Sequence, residues 1–130
     1  VQGESHGHAM PCSHRPKDDR PRPGGVLGER YGTCCVAVVA ETIGTTLRQQ
    51  GYAVSRNKPY AGGFITEHYG NPAGGLHAIQ LEFNRALYMN ERRFERTVGF
   101  DRLASDLETL AERLAAIPLE ELRPYRSAAE

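Results

Sequence analysis

The chain has 130 residues, enough for one domain with a modest core. Its 16 basic and 16 acidic residues cancel to a formal net charge of zero, which argues against a general nucleic-acid surface or a binder of anionic membranes. No run of about 18 apolar residues occurs, so no membrane-spanning helix is expected; the odd set Cys12, Cys34 and Cys35 makes a poor disulfide framework and points to a reducing, cytoplasmic compartment.

Residues 1–25 are rich in Gly, Pro, His, Arg and Asp, show no periodicity and read as loop. His6, His8, His14 and Cys12 fall there, but zinc sites normally use tighter motifs on defined elements. Residues 26–31 are a candidate short strand. Thr33 is the expected N-cap of a helix over 34–50, where Val36, Val39, Ile43 and Leu47 recur at three- and four-residue spacing and Gly51 marks the stop. Cys34 and Cys35 near its start read either as small packing groups or as thiols activated by the helix terminus. Residues 51–55 form the next strand, completing an α-to-β unit.

A polar loop is expected over 56–73. Its glycines permit close backbone approach to a ligand, while Pro59, Tyr60, Phe64, Ile65, His68 and Tyr69 are too bulky for a linker. A long loop of this kind in a compact domain is usually functional. Residues 77–84 then alternate. Ala78, Gln80, Glu82 and Asn84 share one strand face, and His77, Ile79, Leu81 and Phe83 the other. Residues 91–117 carry the last helical material. There Leu103, Leu107, Leu110, Leu114 and Ile117 form an apolar stripe, with Asp101 as its expected cap and Pro118 after its end. Residues 118–130 read as a frayed tail. The order helix, strand, loop, strand, helix points to a layered α/β domain, in which sites gather at strand ends.

His8, Asn57 and Glu82 all lie near such ends. A carboxylate in a segment as apolar as 77–84 needs a partner, a metal or a job. Glu82 is thus a candidate general base or one half of an ion pair with Arg85. Arg85 could equally grip a substrate carboxylate. Asn57, Tyr60 and His68 are loop donors suited to lining a substrate site. A cysteine hydrolase using Cys34 or Cys35 has no evident histidine partner.

Pro-Tyr-Ala-Gly-Gly at 59–63, His-Tyr-Gly at 68–70 and the run Gln80, Glu82, Arg85, Leu87, Tyr88, Met89 resemble the N-formylglutamate amidohydrolase family, a relative of the zinc carboxypeptidases and aspartoacylase-like deacylases. The resemblance spans residues 6–91. It implies a layered α/β/α sheet of the zinc-peptidase-like type, present here as an incomplete, C-terminal portion of a larger domain covering 1–130. The family's Asp-x-His-Ser-Met-Pro motif corresponds to His6-Gly7-His8-Ala9-Met10-Pro11. His8 then matches a zinc ligand, while His6 and Ala9 replace the acidic residue and the serine. Gly24 and Gly25 also stand where the family tends to have Asp before its Val-Leu-Gly turn, so the strand there is expected to be short or poorly formed.

The resemblance further implies zinc-dependent cleavage of N-formyl-L-glutamate, or a similar N-acylamino acid, with Glu82 as base. The remaining metal ligands are expected outside this chain, and the chain alone is expected to be inactive. The alternative is a catalytically inactive remnant that binds or supports. A small-molecule substrate is the expected partner, with neither nucleic acid nor membrane. A missing half would expose a sheet edge and favour self-association.

Overall fold

The computed structural model describes residues 8–10 and 23–123. In chain order the elements are β1 His8–Met10, β2 Gly25–Gly28, α1 Ala37–Gln49, β3 Val54–Arg56, α2 Phe64–Tyr69, β4 Gln80–Asn84, β5 Met89–Asn90, β6 Glu95–Arg96 and α3 Gly99–Ala115. Four strands make a mixed sheet in the order β1-β4-β2-β3. The pairs β1–β4 and β2–β3 are parallel, and β2–β4 is antiparallel. β5 and β6 form a separate antiparallel ribbon.

Of the alternation expected over 77–84, the strand forms only over Gln80–Asn84, and His77, Ala78 and Ile79 precede it outside the sheet ladder. Leu27 pairs with Leu81 and Gly25 with Phe83. Leu27 and Phe83 belong to the core, with Leu81 and Ile79 packed against it. Buried Val39, Ala40, Ile43 and Leu47 of α1 and Leu103 and Leu110 of α3 close that core from the helical side. The spacing of these residues is the three- and four-residue step of an amphipathic helix. Val26 pairs with Glu82 and Gly28 with Gln80, on the opposite face of the sheet.

That second face is covered at Gly28 by the loop after β3. A Cβ on Gly28 would lie 2.6 Å from the Gly62 nitrogen, so only glycine lets the loop settle on the strand. Gly62 is itself left-handed at φ 117°, a conformation side chains rarely adopt.

Several sequence expectations are corrected. The candidate strand 26–31 ends at Gly28 because Arg30 and Tyr31 turn left-handed, at φ 51° and 56°. Despite Gly24 and Gly25, this strand is well paired, lying between β4 and β3. The helix expected from residue 34 begins at Ala37; Thr33 instead donates its hydroxyl to the Arg30 carbonyl at 2.8 Å. Gly51 does end the helix in the left-handed region, at φ 94°. The second strand starts at Val54, not residue 51. The 56–73 loop contains α2 and a short 3-10 turn, Pro72–Gly74. Asp101 lies inside the first turn of α3 rather than capping it. Within the 118–123 stretch the Leu122 carbonyl accepts a 2.7 Å hydrogen bond from His77 Nε2. Among the described residues no helix is long and apolar enough to cross a membrane.

Candidate active site

The polar sheet face is built around β4. Gln80 and Glu82 are two residues apart on a strand, so their side chains neighbour each other on one face. Gln80 Nε2 donates to Glu82 Oε1. Among the described residues Oε2 of Glu82 has no hydrogen-bond partner. The register of the parallel pair sets His8 directly across from Glu82. Neighbouring strands lie roughly 4.8 Å apart, so the two backbone positions are adjacent rungs.

Arg85 does not reach Glu82. Its Nε lies 2.9 Å from Glu91 Oε1, an ion contact whose N–H is not aligned as a hydrogen bond. The expected Glu82–Arg85 pair is therefore not formed.

The other side of the site is a motif that sequence reasoning passed over. Glu29 follows β2 and is 2 % exposed, yet it is well supplied with donors. It accepts from the Gly32 backbone N–H at 2.6 Å, from Arg56 Nε at 3.2 Å and from Asn57 Nδ2. In return Asn57 Oδ1 accepts the Glu29 backbone N–H at 3.0 Å. Burial pushes the Glu29 carboxyl up, but the hydrogen bonds from Asn57, Arg56 and Gly32 and the Arg56 charge outweigh it, so the group sits below the usual carboxylate range. Asn57 is buried, with both ends of its amide committed to Glu29. The only sequence sign of this cluster was a glutamate placed directly after the apolar run Val26-Leu27-Gly28.

Glu29 opens a turn in which Arg30, Tyr31 and Gly32 all take positive φ, at 51°, 56° and 89°. The Arg30 N–H donates to the Ala61 carbonyl at 2.8 Å, which pins the turn to the glycine loop. Tyr60 and His68 stay exposed on the same loop-and-helix segment. The His68 ring stacks on Phe64 with centroids 5.0 Å apart.

The thiols are poor nucleophiles. Cys34 and Cys35 are buried, and burial pushes the Cys34 thiol up and the Cys35 thiol to about 11, opposite to the activation a helix terminus would give. Among the described residues no three His, Cys, Asp or Glu side chains converge on a metal-sized site. These residues alone therefore do not compose a zinc centre, which takes about three protein ligands.

The fold is a mixed α/β sheet with one helical face and, on the other, Gln80 and Glu82 beside a glycine-rich loop. The chain belongs to the N-formylglutamate amidohydrolase family, whose model matches residues 5–89. Over 66 residues it is 42% identical to the N-formylglutamate deformylase of Pseudomonas putida, and over 67 residues 37% identical to that of Pseudomonas aeruginosa. Those matches cover 50% and 51% of this chain but 25% of each relative, so the chain aligns with about a quarter of their length. The crystal structure of N-formylglutamate amidohydrolase from Ralstonia eutropha JMP134 superposes with a TM-score of 0.75 at 37% identity, covering 83% of this chain and 40% of that one.

Proposed function

We propose that this chain contributes the general base and the substrate-facing loop of a metal-dependent amidohydrolase that cleaves N-formyl-L-glutamate, or a similar N-acylamino acid, to formate and glutamate. The observation that carries the reading is the β1–β4 register, which puts His8, a candidate ligand, beside Glu82, the candidate base. The likeness to enzymes named N-formylglutamate deformylase supports the substrate.

In this reading His8 is one zinc ligand and the others come from outside the chain, within a layered sheet like that of the zinc peptidases. A bound zinc supplies Lewis acidity and a water pKa near about 7. Glu82 takes a proton from the attacking water as its oxygen bonds to the formyl carbon. It returns that proton to the amide nitrogen as the C–N bond breaks, giving formate and the free amine. Gln80 orients Glu82 through its amide N–H. Tyr60 and His68 line the substrate from the loop, Asn57 acts through Glu29, and Arg85 borders the end of β4.

The test is formate release from N-formyl-L-glutamate. The chain alone is expected to release little. Joined to the part of the Ralstonia eutropha chain that it does not cover, it should become active, lose that activity to a chelator, and fall about 100-fold or more on Glu82→Gln. An active wild-type chimera whose Glu82→Gln variant keeps its rate removes Glu82 as base. A folded chimera with no activity favours the inactive-remnant reading.

A further inference from the structure

The Glu29 turn takes no part in the proton transfers described so far, and its backbone geometry is unusual. Two consecutive non-glycine residues, Arg30 and Tyr31, sit in the left-handed region that side chains rarely adopt. The buried carboxylate of Glu29 holds the turn from below through the Gly32 N–H, and the Ala61 carbonyl holds it from the side. The residue presented by this rigid support is Arg30.

Arg30 borders the same glycine segment as the candidate base. A Cβ on Gly62 would lie 3.1 Å from Arg30 Cγ, and a Cβ on the next residue, Gly63, would lie 3.3 Å from Gln80 Oε1. Gln80 in turn holds Glu82. Arg30 and the Gln80–Glu82 pair thus border two consecutive glycines of the same segment. The Arg30 side chain is 35% exposed, and among the described residues its ion-pair contact is Nη2 to Glu67 Oε1 at 3.3 Å. Glu67 is 66% exposed, and so open a pair is held by little energy. The guanidinium fork can exchange this single contact for two parallel hydrogen bonds to a ligand carboxylate. Arg85, by contrast, faces Glu91, which is only 26% exposed.

We propose that Arg30 is the residue that recognises a carboxylate of the N-acyl-glutamate substrate, and that Glu29 is a positioning residue that fixes the turn from which it reaches. The inference rests on the proposed deformylase reading, because it needs an acidic N-acylamino acid across the glycine segment from Glu82. Glu67 holds the guanidinium until that ligand arrives.

The experiment is a calorimetric titration of the full 130-residue chain with N-formyl-L-glutamate, N-formyl-L-glutamine and N-formyl-L-isoglutamine. The last two lack the side-chain and the α-carboxylate charge respectively. The wild type is expected to prefer N-formyl-L-glutamate over one of the two amides. Arg30→Gln should weaken N-formyl-L-glutamate binding about tenfold or more and abolish that preference. Arg30→Lys should restore part of the binding, and Glu67→Gln should strengthen it. Loss of selectivity separates recognition from a folding defect, which would weaken all three ligands alike. Unchanged affinity and selectivity in Arg30→Gln overturns the Arg30 assignment while leaving the deformylase reading intact, and loss of the preference in Arg85→Gln instead transfers the role to Arg85. A wild-type chain that binds all three ligands equally overturns carboxylate recognition. Failure of the wild type to bind any of them overturns the assignment for this chain, whereas the deformylase reading stands or falls on formate release.

Discussion

A buried carboxylate is expensive unless donors surround it, and Glu29 has three kinds: a backbone N–H, a guanidinium and an amide. Replacing it with glutamine removes the charge that Arg56 faces and puts an N–H₂ where two donors already point. Glu29→Gln is therefore expected to cost about 1–3 kcal/mol at neutral pH, read as a shift in urea midpoint. The sign of the pH dependence follows from the lowered carboxyl. Its stabilisation is fully present above the unfolded value of 4.5 and is lost as pH falls through the lower folded value. Wild type and Glu29→Gln should thus converge in stability as the pH drops below about 4.5. A gap that stays constant into that range would mean that the carboxylate's charge contributes nothing. The local sequence marked this residue only by its place directly after the apolar run Val26-Leu27-Gly28 and said nothing of its partners. Its partner Asn57 is 28 positions away, and pairing across that distance is decided by β2 and β3 lying side by side.

Elements with a sustained period were readable from residue types, and those without one were not. The β4 alternation and the stripes of α1 and α3 each repeat often enough to declare a face. Helix α2 has six residues, fewer than two turns, inside a glycine-rich stretch, and the β5–β6 ribbon has two residues per strand. Neither is long enough to show a period. The helices α1 and α3 meet through their core residues, and a polar clamp beside that contact, joining residues more than 50 apart, was hidden. Tyr52 donates its hydroxyl to Asp106 Oδ2 at 2.5 Å, Gln50 Nε2 to the Asp106 carbonyl at 2.9 Å, and Arg102 Nη2 to the Gln50 carbonyl at 3.0 Å. Burial, the hydrogen bond to Asp106 and its charge push the Tyr52 phenol up to about 12. Tyr52→Phe keeps the ring against Phe83 but loses the bond to a carboxylate, so it should cost about 1.5 kcal/mol in urea unfolding near pH 7. Because the folded value is raised above the unfolded 10.0, this stabilisation is present below pH 10 and is lost as pH rises toward 12. The wild type should lose its advantage over Tyr52→Phe across that interval. A phenylalanine variant as stable as wild type at pH 7 would show that the clamp adds nothing beyond packing.

At the scale of the molecule, the sheet order sets both the site and a liability. β4 lies between β1 and β2, so Glu82 has His8 on one flank and Val26 on the other. Among the described residues β1 has β4 as its one neighbour, and an edge strand carries backbone N–H and C=O groups that no other strand of the sheet pairs. An open edge of this kind templates pairing with another chain unless charge, proline or a covering segment blocks it. Exposed Phe94 and Val98 beside the β5–β6 ribbon add apolar surface. The chain matches only 40% of the Ralstonia eutropha enzyme, and the remainder of that protein is the natural candidate to cover such an edge. We therefore expect the isolated chain to self-associate, with a weight-average sedimentation coefficient that rises with concentration over the micromolar range. The chimera that restores deformylation should sediment as one species over the same range, because an edge paired within the molecule is not available to a second copy. If the isolated chain stays monomeric with a sharp melting transition, its β1 edge is already protected. If the chimera associates as readily as the chain, the exposed side of the ribbon, rather than the sheet edge, drives the contact.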